Sequence, residues 1–132
     1  MIAADANIFV SWLVEDDKAK ADAVARLLKE SEEAGRQLWV SDLVMAEVVW
    51  VLQRLYRIKP ALVAEMVEPL LDAPMLEFEN RERLMRAVTL YGNHGVDFAD
   101  CYTAAAVAER KLEGVLSYDR DFDRLAIKRM EP

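Results

Sequence analysis

The first seven residues, Met1–Asn7, read MIAADAN. Ile2, Ala3 and Ala4 are apolar or small, Asp5 follows, and a new apolar pattern starts at once with Ile8, Phe9, Trp12 and Leu13. So short a run cannot make a helix by itself. It predicts a buried parallel strand that ends at Asp5 and turns into a helix over Ile8–Val14. In open α/β sheets, ligands bind outside the carboxyl ends of the strands, and that is where the Asp5 carboxylate falls. An Asp in this position is also a good helix N-cap, so Asp5 alone does not separate chemistry from capping.

Outward from this stretch, strand and helix patterns alternate. Lys18–Glu33 is amphipathic, with Ala21, Val24, Ala25, Leu27 and Leu28 expected on its buried side and Ala34-Gly35 closing it. The acids Glu15-Asp16-Asp17 before it read as a solvated helix start rather than a metal site. Gln37–Val40 is a second strand, and Ser41-Asp42 open a helix over Leu43–Tyr56 that ends in the basic residues Arg54, Arg57 and Lys59. Pro60 starts the next helix, running to about Asp72, with Pro69 expected to kink or shorten it. Met75–Phe78 is a candidate strand, Arg81–Tyr91 a helix, and Gly92-Asn93-His94-Gly95 a loop holding the only histidine. Val96–Lys111 (VDFADCYTAAAVAERK) is a helix whose alanines allow close packing on a sheet. Gly114–Ser117 is a strand, and Leu125–Met130 a closing one. Without linker, repeat or low-complexity segment, residues 1–132 read as one domain, a mainly parallel sheet flanked by helices.

Composition fits that reading. At 132 residues the chain is long enough for a real core, and 54% hydrophobic with 31% charged residues is an ordinary globular balance. No apolar run approaches the ~20 residues needed to span a bilayer, and no signal-peptide pattern opens the chain. Cys101 is the sole cysteine, so no internal disulfide can form, which fits a reducing cytoplasm. Cys101 itself reads as a small core residue, since no paired histidine is evident. A net charge of −7 argues against a non-specific nucleic-acid coat but permits cation binding or a basic protein partner.

The chemistry then concentrates in the acids. Between Leu43 and Leu52 every residue is apolar except Glu47. A carboxylate held in such a run either finds a partner, for which a cation is the natural choice, or occupies a polar notch facing solvent. Asp97 and Asp100 lie three apart at the start of the alanine-rich helix, Asp97 as the better cap and Asp100 as the better ligand. Asp119 stands just past a strand, as Asp5 does, with Asp121 two residues on. Gathered at one sheet edge, such charges repel unless protonated or neutralised. Hard divalent ions, Mg²⁺ or Mn²⁺, suit oxygen-only ligands, and the lack of a Cys/His cluster argues against zinc.

In order and spacing, Asp5-Ala6-Asn7, Glu47 in its apolar helix, Asp97-Phe98-Ala99-Asp100, and Ser117-Tyr118-Asp119-Arg120-Asp121-Phe122 resemble the PIN-domain nucleases. Within them the likeness is to the VapC-type toxins of toxin–antitoxin pairs, and it spans essentially the whole chain. The resemblance implies a PIN-like three-layer sandwich, Mg²⁺- or Mn²⁺-dependent ribonuclease activity on RNA, a homodimer, and a small antitoxin that blocks the site. It implies Asp5, Glu47, Asp100 and Asp119 as the catalytic and metal-binding acids, with Asp97 and Asp121 supporting them. Asn7 would orient Asp5, and Ser117 would help hold a water at the metal. The family often has Thr where this chain has Ala6 and Ser117; Ser117 keeps the hydroxyl and Ala6 does not. Phosphate contacts would fall to Arg120, Arg124, Lys128 and the Arg81–Arg86 segment. Two other readings remain open at this stage. A haloacid-dehalogenase-like phosphatase also starts with an Asp after its first strand, but it wants a second Asp where Asn7 stands. A non-catalytic acidic interaction domain would explain the charge but not Glu47.

Overall fold

A computed structural model describes all 132 residues, Met1–Pro132. Three short strands, β1 (Ile2–Ala3), β2 (Leu38–Val40) and β3 (Leu76–Phe78), form a parallel sheet in that order, with Ile2 opposite Leu38 and Leu38 opposite Leu76. A second parallel ladder pairs β4 (Val115–Leu116) with β5 (Arg129–Met130). Parallel neighbours need long crossovers. Helices α1 (Ala6–Val14) and α2 (Lys18–Glu33) join β1 to β2, and α3 (Asp42–Arg54) and α4 (Pro60–Leu71) join β2 to β3. Helices α5 (Arg81–His94) and α6 (Phe98–Glu109) lead on to β4, and a 3₁₀ turn, Arg120–Arg124, leads to β5. The helix-flanked parallel sheet is the expected α/β class. No helix is long and apolar enough to cross a membrane.

Local chemistry sets the helix starts. Asp17, Ser41, Asn80 and Asp97 each accept a first-turn backbone N–H, and Pro60 opens α4 with the φ it already prefers. Pro69 is accommodated in the last turn of α4, which runs on past it to Leu71, close to the expected end.

Four expectations are corrected. β1 is not buried: it is the end strand of its sheet, and Ile2 stays 72% exposed because no strand covers its outer side. On α2 the buried face is Ala21, Val24, Leu28 and Ser31, leaving Ala25 and Leu27 outside that arc. The closing strand keeps only Arg129–Met130, since Leu125 is anchored in the core by the turn and Ala126 takes a left-handed φ of 57°. Gly92–His94 is not loop but the last turn of α5, capped by Gly95 at φ 65°. Gly92 serves packing rather than a turn: a Cβ there would sit 2.7 Å from Ala64 Cβ, so its hydrogen lets α5 lie against α4. Gly114 has the same role beside β5, where a Cβ would meet the Lys128 carbonyl oxygen at 2.3 Å.

Candidate active site

Two unrelated pieces of chain meet at the acids. The first is the start of α6. Asp97 Oδ1 accepts the Ala99 N–H at 3.0 Å, which starts the helix and places Asp100 in its first turn, half-buried. Phe98 and Cys101 on the other side of that turn are buried, so the helix cannot roll to expose Asp100 further. The Cys101 thiol, pushed up to about 12 by burial and by Asp100 and Asp97, donates weakly to the Val96 carbonyl at 3.4 Å, as expected for a core residue.

The second piece is the turn after β4. The Ser117 N–H donates to the Met130 carbonyl, ending the ladder, while Ser117 Oγ accepts the Asp119 N–H at 2.9 Å. Asp119 Oδ1 in turn accepts the Asp121 N–H at 2.9 Å. Buried Phe122 and Leu125 pin this turn to the core, and Arg124 donates to the His94 carbonyl, tying it to the end of α5. The chain therefore has little freedom to swing Asp119 away.

Together the two pieces bring carboxylate oxygens of Asp100, Asp119 and Asp121 within 4.8 Å of one another. None of the three forms an ion pair. Burial raises the Asp100 pKa, and the charges of Asp97, Asp119 and Asp121 raise it further. An oxygen-only group with uncompensated repulsion suits a hard divalent cation, and its side chains are able to hold one.

Of the expected acids, Asp5, Glu47 and Asp97 are not among the three whose oxygens lie close together. Asp5 caps α1, its Oδ1 accepting the Ala6 N–H at 2.8 Å; this bond holds Asp5, rather than one from the Asn7 amide, and Asn7 is exposed on the first turn. Glu47 is exposed on α3 and lines a cavity of about 420 Å³ together with Asp97 and Phe98 of α6. In Asp119, which caps the 3₁₀ turn through the Asp121 N–H, capping and membership of the acidic group coexist in one side chain.

Two features escaped the sequence reading. Two of the cations expected at phosphate are engaged within the protein: Arg83 pairs with Glu109 at 2.7 Å and Arg81 donates to the Leu76 carbonyl, whereas Lys128 makes only an exposed 3.6 Å pair with Glu113. Arg83 also donates to the Tyr102 hydroxyl, which donates to Asp42, linking α5, α6 and the start of α3. No spacing rule signals that network, because its members lie far apart in the chain. On α3 the buried arc is Met45, Val48, Val49 and Leu52, which leaves Leu43 79% and Trp50 47% exposed. Helical periodicity contained that signal, although the run looked uniformly apolar.

The PIN domain family model matches residues 2–128. A VapC ribonuclease of Aquifex aeolicus (strain VF5) is 23% identical over 128 residues, spanning 97% of this chain and 94% of that protein.

Proposed function

This chain belongs to the PIN-domain family, and on that premise we propose that it is a metal-dependent endoribonuclease, the toxin of a toxin–antitoxin pair. Residues 1–132 act as a single PIN-like domain. The observation that carries the reading is the meeting of Asp100 from α6 with Asp119 and Asp121 from the turn after β4, in a chain that matches this family over residues 2–128. The name of the Aquifex relative supports RNA as the substrate.

Asp5, Glu47, Asp100 and Asp119 form the acidic site, with Asp97 and Asp121 supporting it. Asp121 also has a claim to a ligand position, since its carboxylate, like that of Asp119, comes within 4.8 Å of Asp100. When bound, Mg²⁺ or Mn²⁺ supplies a Lewis acid that polarises the phosphodiester and offsets charge on the leaving oxygen. The protein's own part is to hold the acids still. Ser117 Oγ and the Asp119 cap wind the turn, and the Ala6 N–H fixes Asp5 at the end of β1. Hydrolysis forms one P–O bond to water and breaks the bond to the 3′ oxygen, which takes up a proton. A cytoplasmic location, a homodimer and a small, site-blocking antitoxin complete the proposal.

The test is cleavage of total cellular RNA by the purified chain with Mn²⁺ or Mg²⁺, against EDTA and against Asp5→Asn and Asp100→Asn. Discrete products from the wild type alone, and only with metal, are expected. Asn caps helices as well as Asp, so Asp5→Asn keeps its fold. Full activity in either variant at saturating metal overturns the assignment. Hydrolysis of a small phosphomonoester without RNA cleavage would move the chain to the phosphatase class.

A further inference from the structure

We propose that the exposed face of α3, centred on Trp50, is a subsite for an unpaired nucleobase of the RNA substrate, resting on the nuclease reading above. The cavity of about 420 Å³ between α3 and the start of α6 is lined by Trp50, Gln53 and Arg54 at one end and by Glu47 and Asp97 at the other. It lies within the ~300–1,000 Å³ range of small-molecule sites, large enough for a nucleobase. Trp50 offers a half-exposed indole, and the Arg54 guanidinium carbon lies 5.1 Å from its ring centroid. Stacking on such a ring is sequence-tolerant, because every base has a π-face, and a neighbouring cation strengthens it.

Charge favours this occupant. Arg54, Arg57 and Lys59 lie at the end of α3 and none pairs with a carboxylate, in a protein whose net charge is −7. Cations near a helix C-terminus also suit the helix dipole, but that does not require an exposed tryptophan beside them. An RNA strand laid here sets its phosphates against these cations and one base on Trp50. Asp97 lines the same cavity and caps the helix that carries Asp100, so the strand is led towards the acids. Arg54, Arg57 and Lys59 at the helix end take the backbone, and the cavity beside Trp50 takes the base.

The experiment compares wild type, Trp50→Ala, Trp50→Phe and Arg54→Ala. Cleavage of a short single-stranded RNA of mixed sequence is measured in Mn²⁺, binding of the same strand by fluorescence anisotropy in EDTA, and oligomeric state by light scattering. Trp50 lies outside the buried core, so the alanine variant is expected to fold, which circular dichroism checks. Loss of one stacked base should raise KM and weaken binding roughly 5- to 100-fold in Trp50→Ala, with kcat little changed. Trp50→Phe should keep most of the affinity, and Arg54→Ala should reduce its salt dependence. Unchanged KM and binding in Trp50→Ala, alongside an active wild type, overturns the subsite and leaves the nuclease standing. A wild type that neither cleaves nor binds RNA overturns both. If Trp50→Ala instead converts an oligomer to monomers with RNA binding intact, the face joins two copies of the chain and the subsite is wrong.

Discussion

Asp100→Asn should make the metal-free protein more stable, not less. Asp100 sits within 4.8 Å of Asp119 and Asp121. At that separation two unit charges repel by about 0.9 kcal/mol even at the dielectric constant of water, and about 0.74 kcal/mol survives screening at ~0.01 M salt. Removing the charge relieves two such pairs, about 1.5 kcal/mol. It forfeits up to ~1 kcal/mol of favourable interaction with the positive end of α6. Burial and the charge of Asp97, which both raise the Asp100 pKa, shift the balance further towards relief. A net gain of about 1 kcal/mol follows. For 132 residues, an unfolding entropy of about 0.28 kcal/mol/K converts that to a Tm rise of about 3–4 °C. The sign with pH is fixed as well. Because the folded pKa is raised, the penalty is fully present above it, shrinks as pH falls through it, and is gone below the ordinary carboxylate value. Metal inverts the order: at 100 times Kd it stabilises the wild type by about 2.7 kcal/mol, and Asp100→Asn should lose most of that. Thermal melts in EDTA and in Mn²⁺, at low and at ~1 M salt, test each part. A Tm for Asp100→Asn at or below the wild type in EDTA at low salt would refute the reasoning, as would a metal-induced rise of equal size in both proteins.

Asp5→Ala removes the N-cap of α1 as well as the charge, so it should cost about 0.5–2 kcal/mol of stability, whereas Asp5→Asn should stay within a few tenths; urea melts of the pair separate capping from chemistry. Gly92→Ala drives a Cβ to 2.7 Å from that of Ala64. The ~1 kcal/mol of helix propensity gained should be outweighed by ~1–3 kcal/mol of overpacking, and a raised Tm would sink the account of that glycine. Cys101 should be almost inert to thiol reagents in the native state, being fully buried with its thiol pushed up to about 12; labelling at the rate of an exposed thiol would show that the start of α6 opens readily. Leu52→Ala empties a fully buried position on α3 and should cost ~2–5 kcal/mol, read from the denaturation midpoint.

The fold was legible where one signal acted alone. Capping residues before apolar periods gave α2 its bounds, and the short apolar runs before Ser41 and Glu79 gave β2 and β3. Where two forces compete, the local signal misleads. Gly92 reads as a turn because glycine is a poor helix former, yet it is helical because Ala64 comes too close for a side chain. Ile2 reads as buried because it is apolar, yet burial depends on a neighbouring strand that a single segment cannot reveal. The candidate site divides in the same way. Asp119 and Asp121 are close in the chain, so their pairing was visible; Asp100 reaches them only through the packing of α6 against the turn after β4. Each of Asp5, Asp97 and Asp119 makes the cap hydrogen bond expected of an acid with no function. A cap fixes one carboxylate oxygen and leaves the other free. A cap bond in these residues is therefore compatible with metal binding under the proposed function, because it would hold the carboxylate in one orientation while its second oxygen stays available.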